Sequence, residues 1–280
     1  MTPKTKAGLI KTLWYVLGIV AFVVLMLPLF WMFMASFMTK HEIFHNPPYF
    51  LPPNPSLNAY RQLFSFSYGL PGLFRNSIIV ALGCMVISVV LSVPAAYSLA
   101  KRNIRGKGLI LLLFLISQML PEIFTLVPYL GIFSKIGIYN TYWAPILACC
   151  TLAIPFCVIM MRPYFKGVSK EIEDAALIDG ATYWQAFTRI MLPIASPGVA
   201  LSFVFSFLFA YGDMMYSLNL IGDGELWPVT TGIYNLVGRH GIAWDQAMAF
   251  ATLVILPVLI IFLLMQRYIV EGLTSGSVKG

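Results

Sequence analysis

The pentapeptide HEIFH at 41–45 sets His41, Glu42 and His45 in the H-E-x-x-H spacing of zinc proteases. On a helix the two imidazoles would stand one turn apart on one face, able to share a zinc ion, with Glu42 beside them as general base. That chemistry needs a stable helix and a third ligand. The next residues, NPPYFLPPNPS, include Pro47, Pro48, Pro52, Pro53 and Pro55, each of which removes a backbone donor and turns its predecessor away from helix. The remaining histidine, His240, lies far along the chain with no carboxylate cluster around it. The spacing alone leaves a membrane zinc protease open as an alternative, and the surrounding elements must decide.

Those elements are membrane spans. Of 280 residues, 59% are hydrophobic and only 10% are charged, with a mean hydropathy of +0.83, whereas soluble domains carry about a quarter charged residues. Apolar runs at 13–37, 77–100, 109–133, 142–161, 194–221 and 247–268 are each near or above the ~20 residues that cross a bilayer as helix. An all-α integral membrane fold with six transmembrane helices is expected. The first run is too long for the apolar core of a cleavable leader. With the N-terminus cytoplasmic, only Lys40, Arg61, Arg75, Lys135 and Arg239 of the 18 basic residues fall outside, so the positive-inside rule predicts an N-in, C-in chain. Its parts are a cytoplasmic tail at 1–12, the first span at 13–37, an external segment at 38–73, a core at 74–268 and a cytoplasmic tail at 269–280. Topology accounts for the net charge of +7, and no nucleic-acid partner is implied. Cys84, Cys149, Cys150 and Cys157 lie in apolar runs and act as small hydrophobes.

One long polar segment interrupts the core on the cytoplasmic side, at 166–193; an external loop at 222–245 follows. Ser169 is placed as an N-cap, with Glu171, Glu173 and Asp174 near the positive end of the helix dipole. Gly180 is placed to end that helix with a positive φ. Thr182 to Gln185 then forms a capping box for a second helix, in which Trp184, Phe187 and Ile190 share a face and which ends near Pro193. A helix that merely lay on lipid would carry Lys and Arg on its polar face. The first helix is instead acidic and small around Ala175 and Ala176, a surface suited to close protein contact.

The sequence EDAALIDGA, followed by RIMLP, resembles the EAA loop of ABC-importer permeases. HEIFHNPPYFLPPNPSLNAYRQLF, FRNSIIVA, PAAYSLAKRNIRGKG and RYIVEGLTSGSVKG resemble the MalG-type carbohydrate permeases in the same order, over residues 13–280. Asp174 stands where Glu is usual, and AYGDMMYSL replaces a Trp-Asn-Glu type sequence. The resemblance implies a type I ABC-importer permease in a bacterial inner membrane that passes a carbohydrate inward by alternating access. It implies a second homologous permease, two ATPase subunits and an external solute-binding protein as partners. No cofactor is implied in this chain, ATP and Mg being carried by the ATPase. Glu173, Asp174, Ala175, Ala176, Asp179, Gly180, Ala181 and Pro193 become the residues coupling to that ATPase. HEIFH falls in a region where such permeases ordinarily carry similar proline-rich sequence, which marks it as an accidental match.

A substrate path needs polar groups at membrane depth. Ser202, Ser206, Asp213 and Ser217 recur at intervals of four, seven and four, near one face of a continuous helix. Counted from Pro197 at 1.5 Å per residue, Asp213 falls roughly 24 Å along, in the outer half of the core. An unpaired acid there costs about 2.5–3.5 kcal/mol. Glu122, preceded by Pro121, is the comparable residue in the third run, and Tyr211, Tyr216 and Asn219 add groups suited to sugar rings and hydroxyls. The alternative is that the serines only allow helix packing and that both acids are interfacial. A proton-coupled secondary transporter using Glu122 and Asp213 is a further alternative. The chain contains no G-x-x-x-x-G-K-[ST] phosphate loop, so energy is expected from a partner.

Overall fold

The computed structural model describes residues 3–65, 69–238 and 241–275, and the chain divides into two units, 1–66 with 235–255 and 67–234 with 256–280. In the first unit, α1 (Pro3–Ala35) begins well before the apolar run, so most of the stretch expected as a tail is helical. Residues 11–28 are exposed on all sides, as suits a helix whose solvent is lipid. Beyond its end, Ala35, Met38 and Ile43 are packed by Trp31, Tyr49 and Trp244. Two short helices, α2 (Lys40–Ile43) and α3 (Asn58–Phe64), flank the prolines. Val237–Gly238 pairs antiparallel with Gly241–Ile242, a small exception to the all-helical expectation within the loop expected to be external.

The second unit is built on α4 (Leu70–Lys101), α7 (Trp143–Gly167) and α11 (Ser196–Tyr211). Small residues let these helices approach, which matters in lipid because apolar burial gives helices no preference for each other. Cys84 and Ser88 of α4 meet Cys150 of α7, with Sγ–Sγ 3.8 Å and Oγ–Sγ 3.6 Å. Cys157 reaches the Ser202 carbonyl of α11 at 3.7 Å. At Gly198 the approach is closest: a Cβ there would lie 2.6 Å from the Tyr164 ring.

Among the described residues four helices, α1, α4, α7 and α14 (Trp244–Ser275), are long and apolar enough to cross a membrane singly, and two bent pairs raise the total to as many as six. The third run is therefore not one straight helix. It is α5 (Lys107–Met119) and α6 (Glu122–Lys135), bent by 98°. Pro121 is the cause: it forces Leu120 into extended backbone, with ψ 123°. The second bent pair is Tyr183–Ile194 with Ser196–Tyr211, bent by 79°. The fifth run is also interrupted at its far end, since α11 ends at Tyr211 and α12 (Met215–Leu220) starts after a break containing Asp213. The single helical face drawn through Ser202, Ser206, Asp213 and Ser217, and the depth counted along it, do not survive that break.

Gly198→Val is expected to push α11 off α7 and to cost about 1–3 kcal/mol, a typical overpacking penalty. Gly131→Ala, at a helical position with open space beside it, should melt at or slightly above the parent temperature. Thermal unfolding in detergent reads both; a Gly198→Val protein as stable as the parent would remove the close α7–α11 contact.

Candidate functional site

HEIFH is occupied by local structure. Helix α2 is one turn long, and Thr39 and Glu42 form a reciprocal capping box, the Thr39 amide donating to Glu42 at 2.9 Å. That amide, with further donors from the Thr39 hydroxyl and Asn54, holds the Glu42 carboxylate below its ordinary pKa, opposite to what a general base needs near neutrality. His45 Nδ1 lies 2.9 Å from the Pro47 carbonyl, which can only accept, so Nδ1 carries the proton and Nε2 accepts from Tyr49 at 3.2 Å. The lone pair a metal would need is engaged. His240 lies outside the described residues. Among those described, no group of three or more His, Cys, Asp or Glu could hold a metal ion.

The segment at 166–193, expected on the cytoplasmic side, folds largely as its caps direct. The Ser169 hydroxyl accepts from the Glu171 amide at 3.2 Å and opens α8 (Lys170–Ile178). Gly180, with φ +87°, turns the chain, and the Ala181 amide closes on the Ala176 carbonyl at 3.0 Å. Thr182 and Gln185 cap each other's backbone at 2.8 and 3.2 Å, opening α9 (Tyr183–Ala186). The helix then continues through a π-helical turn at Phe187–Met191 and a last turn, α10 (Leu192–Ile194), which contains Pro193.

The eight expected coupling residues do not share one surface. Asp174, Ala175, Asp179, Gly180 and Pro193 are exposed and Ala181 is half-buried, but Glu173 and Ala176 point into the chain. Glu173 is a correction to the expected docking face: its Oε1 accepts from the Tyr97 hydroxyl at 2.7 Å and pairs with Arg102. Spacing explains this, because Glu173 and Ala176 are three apart on the inner face while Asp174 and Ile178 are four apart on the outer one. Ile178, 85% exposed, and Tyr183 and Trp184, 60% and 66% exposed, were not placed on this surface by sequence reasoning. Trp184 leaves the face it was expected to share with the buried Phe187, although the two rings still touch at 5.5 Å.

Asp213 is buried, and both of its carboxylate oxygens are engaged. Its Oδ1 accepts from the Tyr216 amide at 3.0 Å, and its Oδ2 accepts from the Ser217 amide and hydroxyl at 2.9 and 2.7 Å. It thereby satisfies the free amides at the start of α12. Tyr216 passes its hydroxyl to Thr125 at 2.8 Å, and Tyr211 stacks on Phe207 at 5.5 Å. Ser206 donates to the Ser202 carbonyl of its own helix, and Asn219 to the Met215 carbonyl at 2.7 Å. Glu122 is exposed at the start of α6, on the helix face that continues through Thr125 and Tyr129. Tyr129 donates to Thr151 at 2.9 Å. The structure thus gathers Asp213, Tyr216 and Ser217 with Thr125, whereas Ser206 bonds within its own helix. Thr125, Tyr129 and Thr151 were missed because lone hydroxyls within apolar runs give no periodic signal.

A bundle of apolar helices, broken where polar side chains cap them and carrying a half-exposed polar hairpin, has the build of a membrane transport subunit. Residues 88–275 match the family described as the binding-protein-dependent transport system inner membrane component, and the chain belongs to that family. It is 37% identical over 256 residues to the probable ABC transporter permease protein YurM of Bacillus subtilis, covering 90% of this chain and 83% of that one. It is 31% identical over 271 residues to the trehalose transport system permease protein SugB of Mycobacterium tuberculosis, covering 96% and 98%. The fold is similar, with a TM-score of 0.76 at 21% identity over 96% of this chain and 98% of the other, to a chain of a bacterial ABC transporter involved in the import of the acidic polysaccharide alginate. The protein is therefore an inner-membrane ABC permease subunit and not an enzyme.

Asp213→Ala removes both acceptors at the start of α12 and is expected to cost about 1–2 kcal/mol, as loss of a helix cap does. Asp213→Asn retains one acceptor oxygen and should lose less. Melting of both variants in detergent checks the order; equal and parent-like stability would mean that Asp213 does not cap α12.

Proposed function

We propose that this chain forms one half of the membrane passage of an ABC importer for a carbohydrate, beside a second homologous permease, with two cytosolic ATPases and an external solute-binding protein. The observation that carries this reading is the outer face of the α8–α9 hairpin. Asp174, Ala175, Ile178, Asp179, Tyr183 and Trp184 present acids and large apolar groups together outside the apolar spans. Exposed aromatic and aliphatic anchors of this kind mark protein contact surfaces. The distribution of basic residues supports an N-in, C-in chain, which puts the hairpin in the cytoplasm and 38–73 and 222–245 outside.

The carbohydrate class is supported by the trehalose system named for one relative and by the chemistry at membrane depth. Glu122, Asn219, Thr125 and Tyr129 offer acceptors, donors and a ring to hydroxylated rings, with Asp213, Tyr211, Tyr216, Ser206 and Ser217 as the wall behind them. Transport proceeds by alternating access. ATP and Mg on the ATPases close that pair, the closure moves α8, and the spans rock to admit substrate from the binding protein.

Ile178→Asp places a charge at the centre of the docking face without touching the inward residues Glu173 and Ala176. Loss of one anchor is expected to cost about 2 kcal/mol of association, roughly a 30-fold weaker ATPase affinity, while the chain inserts normally. Quantitative co-purification with the ATPase reads this directly. Undiminished association would remove α8 from the docking surface.

A further inference from the structure

Glu173 and its partners form a joint between the hairpin and the membrane helices. The Glu173 side chain is 3% exposed, and the carboxylate receives the Tyr97 hydroxyl and the Arg102 guanidinium together. Arg102 also donates to the Tyr97 hydroxyl at 2.7 Å and lies 4.3 Å over the ring of Tyr183 at the start of α9. It is the C-cap of α4, and the preceding residue, Lys101, donates to the Val168 carbonyl at the end of α7. Tyr97 in turn packs edge-on to Phe165 at 5.5 Å and against Phe187 at 4.8 Å. One end of one membrane helix therefore holds the entry to α8, the middle of α8 and the start of α9.

We propose that Arg102 is a positioning residue for energy coupling: by binding Glu173 and Tyr183 at once it locks the α8–α9 hairpin to the end of α4, so that the two move as one body. This rests on the hairpin being the ATPase docking surface. The chemistry suits the task. A planar guanidinium can pair with a carboxylate edge-on and cover an aromatic ring with its face, which a lysine cannot do. Arg102 is the cation in direct ion-pair contact with the buried carboxylate, Lys101 acting on it only at longer range, so removing Arg102 takes away its paired charge. The outer residues Asp174, Ala175 and Ile178 stay free for a partner because the inward side of α8 is already held.

The test uses the assembled transporter in lipid nanodiscs, with the four native cysteines replaced by alanine and spin labels at Leu91→Cys on α4 and Glu171→Cys on α8. Both positions are exposed. The label-to-label distance is measured with and without ATP and Mg. The parent is expected to give one narrow distance unchanged by nucleotide, because hairpin and helix travel together. Arg102→Met should lose that single distance, broadening it and making it nucleotide-dependent, while ATPase still co-purifies. Glu173→Gln, which keeps the shape and removes the charge, should broaden it as well and stands in if Arg102→Met fails to assemble. A narrow, nucleotide-independent distance in whichever variant assembles overturns the proposal with docking intact. Failure of the ATPase to co-purify with the parent would instead overturn the docking reading, and this joint with it.

Discussion

Hydrocarbon offers no hydrogen bonds, so wherever this chain departs from helix at membrane depth its own side chains must replace water. The segment after α11, which runs from the break at Asp213 into the start of the expected external loop, shows side chains taking over that role. Asp213 takes two amides of α12, Asn140 Oδ1 accepts from Gly222 and Asp223 at 3.0 and 2.9 Å, and Ser77 accepts from Val229 at 2.7 Å. Asn76, buried in α4, donates to the carbonyls of Glu225 and Trp227 at 2.7 and 3.0 Å and accepts from Tyr142 at 2.7 Å. A few polar residues thus hold an irregular strand of chain against three helices. At the break in the fifth run Asp213 itself takes the amides of Tyr216 and Ser217.

That constraint also explains what could be read in advance. Apolar runs and the loop at 166–193 are statements about composition and caps, which act over a few residues, so Ser169, Gly180 and the Thr182–Gln185 box take their expected places. The proline break at 120–121 was equally local, and Pro121 signals it, but a run judged only by hydropathy hides it. Asp213 looked like an acid facing a passage because a continuous helix was assumed beneath it. Gly212, the C-cap of α11, is a stop signal that a run judged only by hydropathy hides, and the cap by Asp213 is visible once α12 is known to begin at Met215. Asn76 escaped notice altogether, since its partners are some 150 residues away.

In the proposed coupling, the hairpin would link this architecture to function through opposite faces of one short helix. Inward, Ala176 is buried and Glu173 joins α8 to the end of α4, whose Lys101 holds the end of α7, while the aromatic cluster of Tyr97, Phe165 and Phe187 supports that joint. Outward, a small residue, two acids and large apolar groups remain unburied. The EAA-like spacing therefore encodes two jobs three and four residues apart. Read as a single surface, the spacing hides that Glu173 points inward and Ile178 outward.

Hydrogen–deuterium exchange on the permease complex, with and without its ATPase bound, tests the central claim that this outer face carries the ATPase. Protection is expected across residues 174–184 on ATPase binding, with no change in α3. Unchanged exchange over 174–184, with protection appearing in α3 instead, would contradict the account.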